Sequence, residues 1–167
     1  MSQTSCRGTA TLDNRGVPEA AVAQLALCEQ LTFESLFEQV SSAHGKPVVI
    51  RIVPDHAIPG VSGLWVESAQ RSVVLVRSGL SELHRMHVIL HEFGHILLRH
   101  EGCDGVSDAM PSIFQHVGHR KGIRNMLARS PRWNELEIAA EQVAYLLSHA
   151  VLDAPEPPTS AFERVFE

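Results

Sequence analysis

Ser81 to Arg99 reads SELHRMHVILHEFGHILLR, a run with helical periodicity for which Gly102 provides a stop. Within it, His91-Glu92-Phe93-Gly94-His95 is an H-E-x-x-H pattern. Residues four apart on a helix differ by about 40° in direction and about 6 Å along the axis, so two imidazoles at that spacing can reach one ion. Glu92 points about 100° away. That is too far round to be a ligand, but it suits contact with a metal-bound water. Zinc lowers the pKa of such a water towards about 7, and a carboxylate can take its proton as it attacks a carbonyl. The flanks, Val88-Ile89-Leu90 and Ile96-Leu97-Leu98, are apolar. Two histidines on such a helix need polar partners if buried, and a metal supplies them.

A third ligand is sought downstream. A metzincin-type site would need Gly at 98 and His at 101; Leu98 and Glu101 stand there, and His100 is one residue out of place. The stronger candidate is Glu137-Ile138-Ala139-Ala140-Glu141 on the last predicted helix, about 133–152. Leu136, Ala140, Val143 and Leu147 read as its apolar stripe. Glu137 and Glu141 flank that stripe with Ala144 and Ser148, small residues that would let this helix approach the H-E-x-x-H helix closely. Glu135 projects to the other, solvated flank. Two half-buried carboxylates are costly unless paired with positive charge. Glu137, nearer the stripe, is read as the third ligand, and Glu141 as acceptor for the N–H of a ligand imidazole. The two roles can be exchanged, with Glu141 as the ligand.

Working outward, Val17 to Leu31 reads as a helix with Pro18 in its first turn. Thr32 caps a second helix to Ala43, which Gly45 and Pro47 stop. The period then changes. Pro47–Val53, Gly63–Glu67 and Ser72–Val76 read as strands, the last two joined as a hairpin through residues 68–71. Residues 103–131 read as irregular, with a short helix around Ile123 to Ala128. The expectation is an α+β fold: a small antiparallel three-stranded sheet packed with an active-site helix (about 81–99) and a glutamate helix (about 133–152).

The 167 residues, 44% hydrophobic and 20% charged, suit one domain with a real core. Its expected span is 18–154, between a flexible N-terminal tail (1–17) and a C-terminal tail (155–167). A net charge of −5 and a pI near 6.0 give no electrostatic case for nucleic-acid binding. Cys6, Cys28 and Cys103 are too dispersed for a disulfide framework or a cysteine zinc site. The first residues lack the apolar core of a signal peptide, and no run is long enough to span a bilayer. A cytoplasmic location without membrane contact is expected.

These motifs together resemble the ImmA/IrrE-type metallopeptidases, closest to actinobacterial members often paired with a helix-turn-helix regulator. The resemblance rests on Gly63-Leu64-Trp65-Val66, on the run from His84 to Leu98, and on Glu137-x-x-x-Glu141-x-x-Ala144-x-x-Leu147, and it covers roughly residues 32–150. It implies a zincin fold and one Zn²⁺ per chain on His91, His95 and Glu137, with Glu92 as catalytic acid/base. It further implies regulatory proteolysis of a partner repressor. Glu141 stands where many relatives have Asn, and Ser148-His149 replaces a common Met-Pro. The competing reading is a non-catalytic metal-binding sensor or partner-binding module; the intact Glu92 favours the enzyme.

Other residues are less specific. His84 and His87 share the helical face of His91 and His95, as ordinary polar positions or as a supporting network or accessory metal site. His116, His119 and Tyr145 are candidates for oxyanion stabilisation. Arg120, Lys121, Arg124, Arg129 and Arg132 form a basic run, read as a solvated surface.

Overall fold

The computed structural model describes residues 17–27, 31–100, 123–128 and 135–153, the segment 123–128 by its backbone alone. The three cysteines, Gly102, His116, His119, most of the basic run and nearly all of both tails lie outside these residues. The fold is α+β: helices α1 (Val17–Ala23), α2 (Phe33–His44), α3 (Glu82–Leu97) and α4 (Glu135–Leu152), and strands β1 (Val48–Val53), β2 (Gly63–Ser68), β3 (Ser72–Arg77) and β4 (Ile123–Ala128). Among the described residues no helix is long and apolar enough to cross a membrane.

The sheet differs from the expected one in two ways. It is mixed rather than antiparallel, and its strand order is β1-β3-β2-β4. The β2–β3 hairpin forms as its short connection requires, but β1 pairs in parallel with β3, from Val48↔Ser72 to Val53↔Arg77. Chain neighbours β1 and β2 are thus separated in space, and the nine residues between them cross over the sheet, with a single 3-10 turn at Asp55–Ala57. The second difference is β4. Ile123–Ala128 is a strand antiparallel to β2, not a helix. Its sequence, IRNMLA, is rich in good helix formers, and pairing along β2 overrides that preference.

Both faces of the central strands are apolar. Val48, Ile50, Trp65, Val74 and Val76 face the helical layer, while Val53, Leu64, Val66 and Leu75 gather with Ala57 and Ile58 on the other side. Alternate residues of β2 and β3 therefore enter two separate cores, as the two-residue period of a strand requires.

The helices end where local chemistry stops them. Thr32 caps α2 through a reciprocal box: the Ser35 N–H donates to Thr32 Oγ1 and the Thr32 N–H to Ser35 Oγ, both at 3.1 Å. Gly45 closes α2 in the left-handed region at φ 74°. α1 is shorter than expected. It stops at Ala23, and the chain turns so that Leu25 and Leu31 enter the core. α3 also ends before Gly102, at an unusual left-handed Arg99 (φ 52°). There the N–H of His100 donates to the His95 carbonyl and that of Arg99 to the Ile96 carbonyl, a Schellman closure with arginine in glycine's usual place.

At the end of the sheet opposite Gly63, a polar cluster ties α2 to the hairpin. His44 Nε2 lies 2.8 Å from Ser72 Oγ and 3.9 Å from Glu67 Oε1, and Lys46 Nζ donates to Glu67 Oε1. Burial of the His44 ring holds its pKa below 6.5; Glu67 opposes the shift, and Lys46 and Arg99 reinforce it. Below pH 6.5 the unfolded chain thus takes up a proton at His44 that the native state resists. This contribution to stability is constant above pH 6.5 and is lost as pH falls below it. His44→Gln, which keeps a hydrogen-bonding nitrogen near Ser72 but does not titrate, should flatten that part of the profile. Denaturant unfolding of both proteins between pH 7 and 5 would measure it, and parallel profiles would refute it.

Candidate metal centre

Four consecutive residues of α3 meet four different surroundings, and this sets the site. His91 faces α4. Glu92 turns towards the start of β2. Phe93 packs against Phe33 and Phe37 of α2, with ring centroids 6.3 and 6.2 Å away. Gly94 meets the backbone of α4 directly, where an added Cβ would lie 2.6 Å from the Ala140 carbonyl oxygen and 3.0 Å from its Cα. The helices cross as closely as backbone atoms allow.

That contact fixes the rotation of α4. Its buried residues are Glu137, Ala139, Ala140, Val143, Ala144 and Leu147. Leu136, expected in the apolar stripe, is instead 42% exposed. The buried face is turned towards the small residues, because only they permit the close crossing at Gly94. Glu137 consequently lies within the packed face and not at its flank.

His91, His95 and Glu137 converge as a buried group, each offering one ligand atom, these atoms all within 4.8 Å of one another. The two Nε2 atoms are 3.1 Å apart. Glu137 Oε2 lies 3.3 Å from the first and Oε1 lies 3.5 Å from the second. A tetrahedral ion with donors at about 2.0–2.1 Å needs donor–donor edges of about 3.3 Å. The 3.1 Å between the two Nε2 atoms and the 3.3 Å from His91 Nε2 to Oε2 are close to that edge, while the 3.5 Å contact to His95 is made by the other carboxylate oxygen. Glu141 sits on the opposite edge of the His91 ring, where Nδ1–H donates to Oε2 at 3.0 Å. That bond leaves a lone pair on His91 Nε2, pointing at the lone pairs of Glu137. A cation between them satisfies all three donors, so this group can hold a metal ion.

Two further histidines, His87 and His100, extend the cluster. His87 Nε2 is 3.1 Å from Glu141 Oε1, so Glu141 bridges His87 and His91. His84 is exposed and lines a surface hollow with His87, Leu83 and Tyr145. Tyr145 is 64% exposed and packs its ring against His149, centroids 4.6 Å apart. His100, set aside in the sequence for its wrong spacing, is buried with Nδ1 at 2.9 Å from His95 Nδ1. Burial, and secondarily the neighbouring His91, lower its pKa to about 4, so its ring is neutral. No glycine marks the turn that delivers it, which is why the spacing does not reveal it.

Glu92 is 2% exposed. Its carboxylate lies against Gly63, where an added Cβ would come within 2.9 Å of Oε1 and 2.5 Å of Val88 Cγ1. The first residue of β2 is therefore glycine for a steric reason that the sequence does not show.

Comparison with models of known protein families, with curated proteins and with solved structures returned no match.

The Gly94–Ala140 contact is testable because it involves backbone atoms. Gly94→Ala should destabilise the fold by about 1–3 kcal/mol, as overpacking does, and weaken metal binding by moving Glu137 away. Adding Ala140→Gly should not restore either, since the obstructing atoms are main-chain. Thermal unfolding and zinc titration of the single and double variants would check both, and full rescue by Ala140→Gly would disprove the backbone contact.

Proposed function

We propose that this protein is a zinc-dependent metallopeptidase of the zincin type, with His91, His95 and Glu137 as ligands and Glu92 as general base. The observation that carries the reading is the buried group His91, His95 and Glu137, whose ligand atoms all lie within 4.8 Å of one another, on a helix whose H-E-x-x-H glutamate is itself buried. A bound zinc ion would supply a Lewis acid that acidifies water and polarises a carbonyl. The rest is the work of side chains. In this reading Glu92 accepts a proton at a carboxylate oxygen and returns it to a leaving amine. Its buried surroundings, walled by Gly63 and Val88, hold it in place and limit bulk water. Glu141 holds His91 in the tautomer that puts its lone pair on Nε2, and His87 braces Glu141 from outside.

The substrate class comes from the motif resemblance alone. A specific protein, a helix-turn-helix regulator, is the proposed substrate, acted on in the cytoplasm without direct contact to nucleic acid or membrane.

Metal analysis should find one zinc per chain, and His91→Ala or His95→Ala should abolish it. Glu137→Gln should weaken zinc strongly, Glu141→Gln by roughly 10- to 100-fold, and Glu135→Gln, exposed in α4, not at all. A larger loss in Glu141→Gln than in Glu137→Gln would reverse their roles. Glu92→Gln should retain zinc yet lose hydrolysis of a peptide library, read by mass spectrometry, by several orders of magnitude. No new termini with the wild type, even with its cognate regulator added, would point to a metal-binding sensor instead.

A separate variant addresses how Glu92 is held. Gly63→Ala should leave zinc content unchanged, because no ligand touches that Cβ position, while cutting hydrolysis by displacing the Glu92 carboxylate. Loss of zinc alongside activity would show that the strand supports the whole site and not Glu92 in particular.

A further inference from the structure

We infer that His100 is a positioning residue for the metal ligand His95: its Nδ1 accepts the His95 Nδ1–H and thereby directs the His95 Nε2 lone pair towards His91 and Glu137. The inference rests on the proposed ligand set and assigns a task to a residue outside the H-E-x-x-H and glutamate motifs.

The two ligand imidazoles are supported differently. His91 has a carboxylate on its outer nitrogen, Glu141 at 3.0 Å. At His95 that position is taken by another imidazole, His100, at 2.9 Å. Both rings are buried and meet edge to face, centroids 5.1 Å apart. An imidazole that binds an ion through Nε2 carries its proton on Nδ1. The only ring nitrogen of His100 facing that proton is its own Nδ1, which must then be the lone-pair nitrogen, with the His100 proton on Nε2.

The backbone explains how a residue outside the helix reaches this place. In the Schellman closure of α3 the N–H of His100 is bonded to the carbonyl of His95 itself. That 6→1 bond brings the two side chains together, where an apolar contact more often sits. A neutral acceptor also orients His95 without adding a negative charge to a ring that already faces Glu137.

The test uses the full chain, zinc and a competing chelator. His100→Leu keeps the bulk but removes the acceptor, and should weaken zinc roughly 10- to 100-fold. His100→Asn places Oδ1 where Nδ1 was, and should bind within a few-fold of wild type. In zinc-loaded wild type, ¹⁵N shifts of the imidazoles should show His95 protonated on Nδ1 and His100 on Nε2. Wild-type affinity in His100→Leu would overturn the inference, as would equal losses in the Leu and Asn variants or a proton on His100 Nδ1. Should His100→Leu not fold, the wild-type tautomers decide. Failure of wild type to bind zinc any better than His91→Ala would instead defeat the ligand set, and this inference with it.

Discussion

A carboxylate from one helix can reach two imidazoles on another only if the helix axes come close, and here the closeness comes from Gly94 against the backbone of Ala140. Ordinary side chains at such a crossing would hold the axes at the usual 8–10 Å, and Glu137 would no longer share one point with both Nε2 atoms. The same contact sets the rotation of α4. It places Ala139, Ala140 and Ala144 inside and leaves Leu136 half in solvent. A face made of small residues contributes little hydrophobic stabilisation per residue, and α4 regains it at Val143 and Leu147, both fully buried in the main core. Geometry at the site is thus secured by packing elsewhere on the same helix.

Charge is the second constraint. Glu92 and Glu137 are both buried, and Glu137 lies against the equally buried His91 and His95. Carboxylates withdrawn from water are stable only with positive charge or several good donors nearby. A divalent cation meets that requirement, so the ion we propose would stabilise the fold as well as serve its chemistry. Glu141, about one-third exposed, keeps contact with solvent and tolerates its charge more easily. The site is therefore graded, exposure rising from Glu92 through Glu137 to Glu141 at the outer edge of His91.

The sheet contributes by holding α3. Trp65, Val74 and Val76 join the core that includes Val88, Ile89 and Phe93, and Gly63 clears the space that Glu92 occupies. With Phe93 set between Phe33 and Phe37 of α2, the helix cannot rotate without breaking packing on two sides. The direction of Glu92 is a consequence of that packing, because a buried residue in a dense core has few alternative rotamers.

Local chemistry made much of this legible in the sequence. The H-E-x-x-H spacing, the cap at Thr32, the hairpin across residues 68–71 and the paired glutamates of α4 are all short-range patterns, governed by helix and strand periods or by turn geometry. What depended on contacts between distant segments was not legible. The parallel pairing of β1 with β3, and the strand at Ile123–Ala128 in place of a helix, follow from partners far along the chain that override local preference. The turn of α4 away from Leu136 follows from one backbone contact across two helices. His100 is the clearest case. Its distance from His95 along the chain excludes it from any helical ligand pattern, and only the left-handed turn at Arg99, a conformation that arginine does not announce, folds it back onto the ring it touches.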